Sequence, residues 1–230
     1  MELSRWAVQL TADVDNSVSI QQKHALIAVA LLKHEKPWGL KGQSAPPTQS
    51  TDPFLVEYAS LTRLLRTPVR YADLQYRYRP QKANYRPQDV MNIEFNSARV
   101  STAEYKRLVH KVLPDYIIGF NADSLRMHCL QPYLTYVCGD GYEPSITKSV
   151  AIRSRPLPCI TAVNFWSDAL CHRAFNRDAQ TIAGTLAHQG IDVRWIHGGI
   201  YVVFSDELLP AKSTLNFEQA FRPLLTAPDF

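Results

Sequence analysis

What this sequence lacks excludes several classes of protein at once. No stretch approaches the roughly 18 consecutive apolar residues of a membrane-spanning helix; the longest candidate, Ala25 to Leu32, is far too short. The opening MELSRWAVQLTADVD has no apolar run of the length a secretory signal needs, so residence in the cytoplasm is the expectation. The four cysteines, Cys129, Cys138, Cys159 and Cys171, include no C-x-x-C pair. They read as small buried hydrophobes of a reducing compartment, although Cys129 and Cys138 would face each other if they lay on adjacent strands. There is no G-x-x-x-x-G-K-[ST], no G-x-G-x-x-G and no G-x-S-x-G, which removes local support for nucleotide binding or α/β-hydrolase chemistry.

What is present suits a folded domain. With 230 residues, 46% of them apolar, the chain can fill a real core as a single α+β domain over 1–230, with sub-halves expected at 1–100 and 101–230. The clearest motif is RWIHGGIYVVFS, Arg194 to Ser205, in which two apolar arms flank Gly198-Gly199. Two glycines predict a two-residue hairpin turn, and the arm Ile200 to Phe204 is too continuously apolar to leave one face in water. A strand over Cys159 to Phe165, Ser167 as N-cap and a helix from Asp168 to His188 precede it, giving a β-α-β-β module.

Earlier in the chain, Trp6, Val8, Leu10, Ala12 and Val14 alternate as a strand, and Ile20 to Lys36 carries a helical stripe stopped by Pro37. Pro37 to Pro53 has no period and reads as a loop anchored by Trp38. Asp52-Pro53 predicts a helix start, with Phe54, Tyr58, Leu61 and Leu65 inward. Strands are expected over Tyr71 to Arg79 and Val90 to Phe95. Ser101-Thr102-Ala103-Glu104 is a capping box, so a helix should begin at Thr102 and end at Pro114. Asp115 to Phe120 and Leu130 to Cys138 read as strands, a short strand is expected near Ser149 to Ile152, and a last helix near Phe217 to Arg222. Groups of adjacent strands interrupted by helices favour an α+β fold, a largely antiparallel sheet with helices packed on it, in two similar β-α-β-β halves.

The net charge of +4 hides a local concentration. Arg63, Arg66, Arg70, Arg77, Arg79, Lys82 and Arg86 stand against Asp73 alone, so this segment carries +6 and the remainder −2. Tyr71, Tyr76, Tyr78 and Tyr85 interleave with these arginines. The composition suits nucleic acid, where guanidinium meets phosphate and rings stack on bases. It equally suits a protein interface, or tyrosines packed inward beneath solvated arginines. The partner-binding candidates are Trp38, Arg70, Tyr76, Arg77, Tyr78, Arg79, Tyr85 and Arg86.

Catalytic candidates are weaker. Asp168, Cys171 and His172 are close in sequence, but consecutive Cys171 and His172 point about 100° apart on a helix, so the base cannot serve the thiol. His128-Cys129 with Cys138 lacks zinc-ligand spacing, and a strand sends its neighbouring side chains to opposite faces. No enzyme activity, metal or cofactor is expected.

In its order of elements the chain resembles the immunity proteins of bacterial polymorphic-toxin and type VI-secreted effector systems. The likeness rests on an N-terminal strand and helix leading to Pro37-Trp38-Gly39, a second helix, and a late strand, helix and hairpin ending in Glu207-Leu208-Leu209-Pro210. The resemblance implies a non-catalytic inhibitor that neutralises a cognate toxin by protein–protein interaction, occluding its active site. The basic patch departs from the acidic surface of antidotes to nucleases. A small nucleic-acid-binding protein using the Tyr/Arg face is the alternative.

Overall fold

The structure, a computed structural model, describes residues 5–52, 56–77, 87–130, 159–210, 213 and 216–226. One sheet runs through all of them, with nine strands in the order β2-β3-β4-β5-β1-β6-β7-β9-β8, every neighbouring pair antiparallel. The strands are β1 (Arg5–Asp13), β2 (Gln49–Asp52), β3 (Val56–Ser60), β4 (Val69–Arg77), β5 (Gln88–Asn96), β6 (Ser124–Cys129), β7 (Val163–Ser167), β8 (Asp192–Ile196) and β9 (Gly199–Val203). The α+β class and its antiparallel sheet follow directly.

Two units of strand, helix and hairpin lie on either side of β6. In the first, β1 leads through α1 (Ile20–Lys33) to the paired β4 and β5, and β5 returns beside β1. In the second, β7 leads through α5 (Asp168–Phe175) and α6 (Ala179–His188) to β8 and β9, and β9 returns beside β7. Both β1 and β7 run antiparallel to β6, so they share a direction while their neighbours are laid out in mirror order. A half-turn about the axis of β6 therefore exchanges the two units and swaps the faces of the sheet. α1 accordingly packs on one face and α5 with α6 on the other.

The first face carries the larger core. Trp6, Val8, Leu10, Ile93, Phe95, Leu125, Met127, Phe165 and Tyr201 all point to it. They pack under α1, the short α2 (Thr62–Leu65), and a continuous helical run of α3 (Thr102–Arg107), a π segment (Leu108–Val112) and α4 (Leu113–Phe120). On the second face Trp166, Ile200 and Val202 meet Leu170, Phe175, Ile182 and Leu186 of α5 and α6, together with Leu225 of α7 (Asn216–Leu225). β9 is buried at every position because its alternate residues enter different cores.

Several expectations need correction. Asp115 to Phe120 is helix, not strand, and Pro114 does not end the run begun at the Ser101 capping box. The π segment explains why: the Leu113 N–H donates to Leu108 O, five residues back, and the wide turn accommodates a residue that has no N–H. In that register Pro114 would have served the Val109 carbonyl, which instead accepts from the Tyr201 hydroxyl at 2.7 Å. Between Val56 and Ser60 the chain is strand, and only Thr62–Leu65 is helical, against the expected helix up to Arg66. The expected single helix from Asp168 to His188 is two, broken at Asn176 in the left-handed region (φ 54) and restarted by Asp178, which caps the Thr181 N–H. α1 ends at Lys33, and Ser19 with Gln22 forms an unforeseen capping box at its start. β6 was not expected. The strands read over Leu130 to Cys138 and Ser149 to Ile152 lie outside the described residues, apart from Leu130 itself.

The hairpin turn is centred one residue earlier than predicted. His197 (φ 48) and Gly198 (φ 73) are its central pair, and Gly199 already pairs with Ile196. Gly199 is glycine for a different reason: a Cβ there would lie 2.3 Å from the Trp166 carbonyl oxygen.

Candidate functional site

Among the described residues, α5, α6 and α7 cover the second face over β7, β9 and β8. Across β4, β5, β1 and β6 the same face carries mostly polar side chains, with Ala7 and Val90 among them, because those strands send most of their apolar residues to the first face. Register brings four strands' worth of polar groups into one network. The Asp73 carboxylate, fully buried, accepts from Tyr71 Oη (2.6 Å), Gln75 Nε2 (2.7 Å) and Asn92 Nδ2 (3.0 Å). Asn92 Oδ1 accepts from Gln9 Nε2 at 2.9 Å, and Gln9 Oε1 accepts from the Arg126 guanidinium. Thr11 and Ser124 hydroxyls meet at 2.7 Å, and Arg5 pairs with Glu94 at the margin. Burial and the neighbouring Asp73 push the Tyr71 phenol upward, which keeps its hydroxyl a donor.

The expected Tyr/Arg site divides on this framework. Arg70 and Arg77 are exposed, and Tyr71 is exposed on the polar face. Tyr76 points the other way and is core: its ring lies beside Phe120 and its hydroxyl meets His24 Nδ1 at 3.1 Å. Strand alternation dictates this, since Leu74 and Tyr76 share the apolar side of β4. Trp38 is also fully buried, edge-on to Phe95 at 5.2 Å, so it anchors its loop to the core and is no contact residue. Tyr78, Arg79, Tyr85 and Arg86 lie outside the described residues. Asp73, Asn92, Gln9 and Arg126 went unrecognised in the sequence because only strand pairing assembles them.

The catalytic alternatives fare poorly on geometry. Cys171 is buried in the second core, and burial with Asp168 and Asp178 nearby pushes its thiol up to about 12, so no thiolate forms near neutral pH. His172 and Asp168 form an exposed i, i+4 pair at 3.5 Å. A cleft of about 330 Å³ is lined by His110, Asp192, Ser205, Asp206 and Glu207 among others. Its polar groups are already engaged with one another: His110 Nδ1 accepts from Arg194 Nη2 at 2.8 Å, while its Nε2 donates to Asp206 Oδ2 at 3.2 Å. Ser205 Oγ donates to the Glu207 carbonyl at 3.0 Å. Among the described residues no group of His, Cys, Asp and Glu side chains is placed to hold a metal ion, and no helix is long and apolar enough to cross a membrane.

No family model, curated protein or solved structure matches the chain.

Proposed function

We propose that the chain is a non-catalytic binding protein that docks a protein partner on the polar face of β4, β5, β1 and β6. In line with the resemblance in its order of elements, the partner is a cognate bacterial toxin whose active site the docked protein occludes. One observation carries this choice over nucleic acid: the face is electrostatically mixed. Glu94 stands among Arg5 and Arg126, with Asp73 buried beneath them, and the polar groups of the face hydrogen-bond to each other across four strands. A phosphate backbone calls for uncompensated cations, whereas a protein surface is met by groups of both signs held in fixed positions. The exposed Tyr71, Arg70 and Arg77 at its border are residue types enriched at protein hot spots.

Co-expression with the product of a candidate toxin gene, sought first among the neighbours of this one, tests the reading. Cells should survive, and a stable complex should copurify with the toxin inactive. Arg77→Glu should leave melting within about 0.5 kcal/mol of wild type, as for a surface change, and weaken the complex at least about tenfold, a 1.4 kcal/mol effect. Tight, salt-sensitive binding of a radiolabelled oligonucleotide by the isolated protein would instead establish the nucleic-acid alternative.

A further inference from the structure

We infer that the chain self-associates through the outer edge of β8, two copies joining antiparallel to continue one sheet. The inference is independent of the polar face and of any toxin. β8 ends the sheet and pairs only with β9 among the described residues. In the hairpin the closing pair is Ile196 with Gly199, so hydrogen-bonded pairs recur at Arg194–Tyr201 and Asp192–Val203. Val193 and Trp195 therefore direct their backbone N–H and C=O groups outward, at the i, i+2 spacing an added strand requires. Trp195 is also 60% exposed, unlike the chain's three other tryptophans, which are buried.

The occupant is identified by register. An antiparallel pair centred on Val193 facing Val193 sets Arg194 of each copy opposite Asp192 of the other, and Trp195 opposite Ile191. Arg194 already grips Asp192 of its own copy, with Nε to Oδ1 at 3.1 Å, on the same face of the sheet as His110. Four alternating charges would then close into a ring. On the opposite face each indole would cover the half-buried Ile191 of the other copy, which packs at the margin of the second core. A pair centred on Trp195 has no such match, because Arg194 would then oppose Ile196. Edge strands are ordinarily blunted by unpaired charge; in β8 the two charges are of opposite sign and spaced to satisfy a second copy.

One five-residue strand and one indole per copy make an interface smaller than the roughly 1,600 Å² typical of stable complexes, so the dimer should be reversible. Sedimentation velocity from about 1 μM to about 1 mM, the range in which weak interfaces saturate, should show wild type passing from monomer to dimer. Asp192→Arg and Arg194→Asp should each remain monomeric, since each sets like charges opposite. An equimolar mixture of the two should dimerise, because every facing pair is then of opposite sign. Trp195→Ala should weaken association at least about tenfold without lowering the melting temperature. A wild type that stays monomeric throughout overturns the inference, as does a Trp195→Ala protein that associates like wild type. So does a mixture that stays monomeric while both charge variants melt cooperatively.

Discussion

At the scale of single residues, adjacent glycines in the hairpin do unrelated work. Gly198 supplies a positive φ at a position where an added Cβ meets nothing within 4 Å, while Gly199 lets the chain pass against the Trp166 carbonyl. Gly198→Ala should therefore cost about 1 kcal/mol of backbone strain. Gly199→Ala should cost several times more, about 3 kcal/mol or above, as overpacking against backbone does; urea unfolding of the two variants measures the contrast. Histidine protonation acts at the same scale. Burial holds the His34 imidazole below its ordinary 6.5, more than its hydrogen bond to Asp115 at 2.9 Å raises it. Burial, helped by Arg126, holds His128 well below that value. Both are neutral in the fold and protonate first in the unfolded chain, so stability is lost as pH falls through about 6.5 toward the folded values. Asp123, raised by burial, acts in the opposite sense and only in the lower carboxylate range. Denaturant midpoints between pH 7.5 and 5 should fall, and His128→Gln should flatten the slope.

At the scale of elements, the helical run from Thr102 to Phe120 shows how local and distant forces combine. Its start is written in four residues, because Ser101 and Glu104 satisfy each other's backbone N–H groups at 3.2 and 3.1 Å. Its continuation past Pro114 is not, since it needs the π turn and a hydroxyl arriving from β9. Tyr201→Phe leaves the Val109 carbonyl buried without that partner, and should cost about 1–3 kcal/mol with the fold retained, read as a drop in thermal midpoint and as faster amide exchange around residues 108–113. The same reasoning explains what could be read from the sequence. β1, β5 and the β8–β9 hairpin carry alternation or turn chemistry that is complete within the segment. The stretch Asp115 to Phe120 is a short apolar run whose periodicity fits strand and helix alike, and its packing against α1 decides the matter. β6, Ser-Leu-Arg-Met-His-Cys, has no β-branched residue to announce it and is a strand because β1 and β7 pair with both its edges. For the polar face, the arginines bordering β4 were visible as composition, but Asp73, Asn92, Gln9 and Arg126 become one network only through register.

At the scale of the whole molecule, one sheet serves two cores of unequal reach. The first-face core extends from Ala59 on β3 to Tyr201 on β9, so any disruption of it is felt across the sheet. The second gathers α5, α6 and α7 over β7, β9 and the margin of β8, and is bounded by the polar network beyond β6. A mixed-sign face lies beside that smaller core, and the proposed partner would dock there without entering either core. The half-turn relation about β6 has a further consequence for motion. Because it places the helices of the two units on opposite faces, α5, α6 and α7 can lift from the sheet without disturbing the packing of α1 against α4. Native-state hydrogen exchange should then resolve two cooperative units. Amides of α6 such as Ile182 and Leu186 should open at a lower free energy, and those of β1 and α4 only with global unfolding; identical opening energies in both sets would mean that the two cores melt as one.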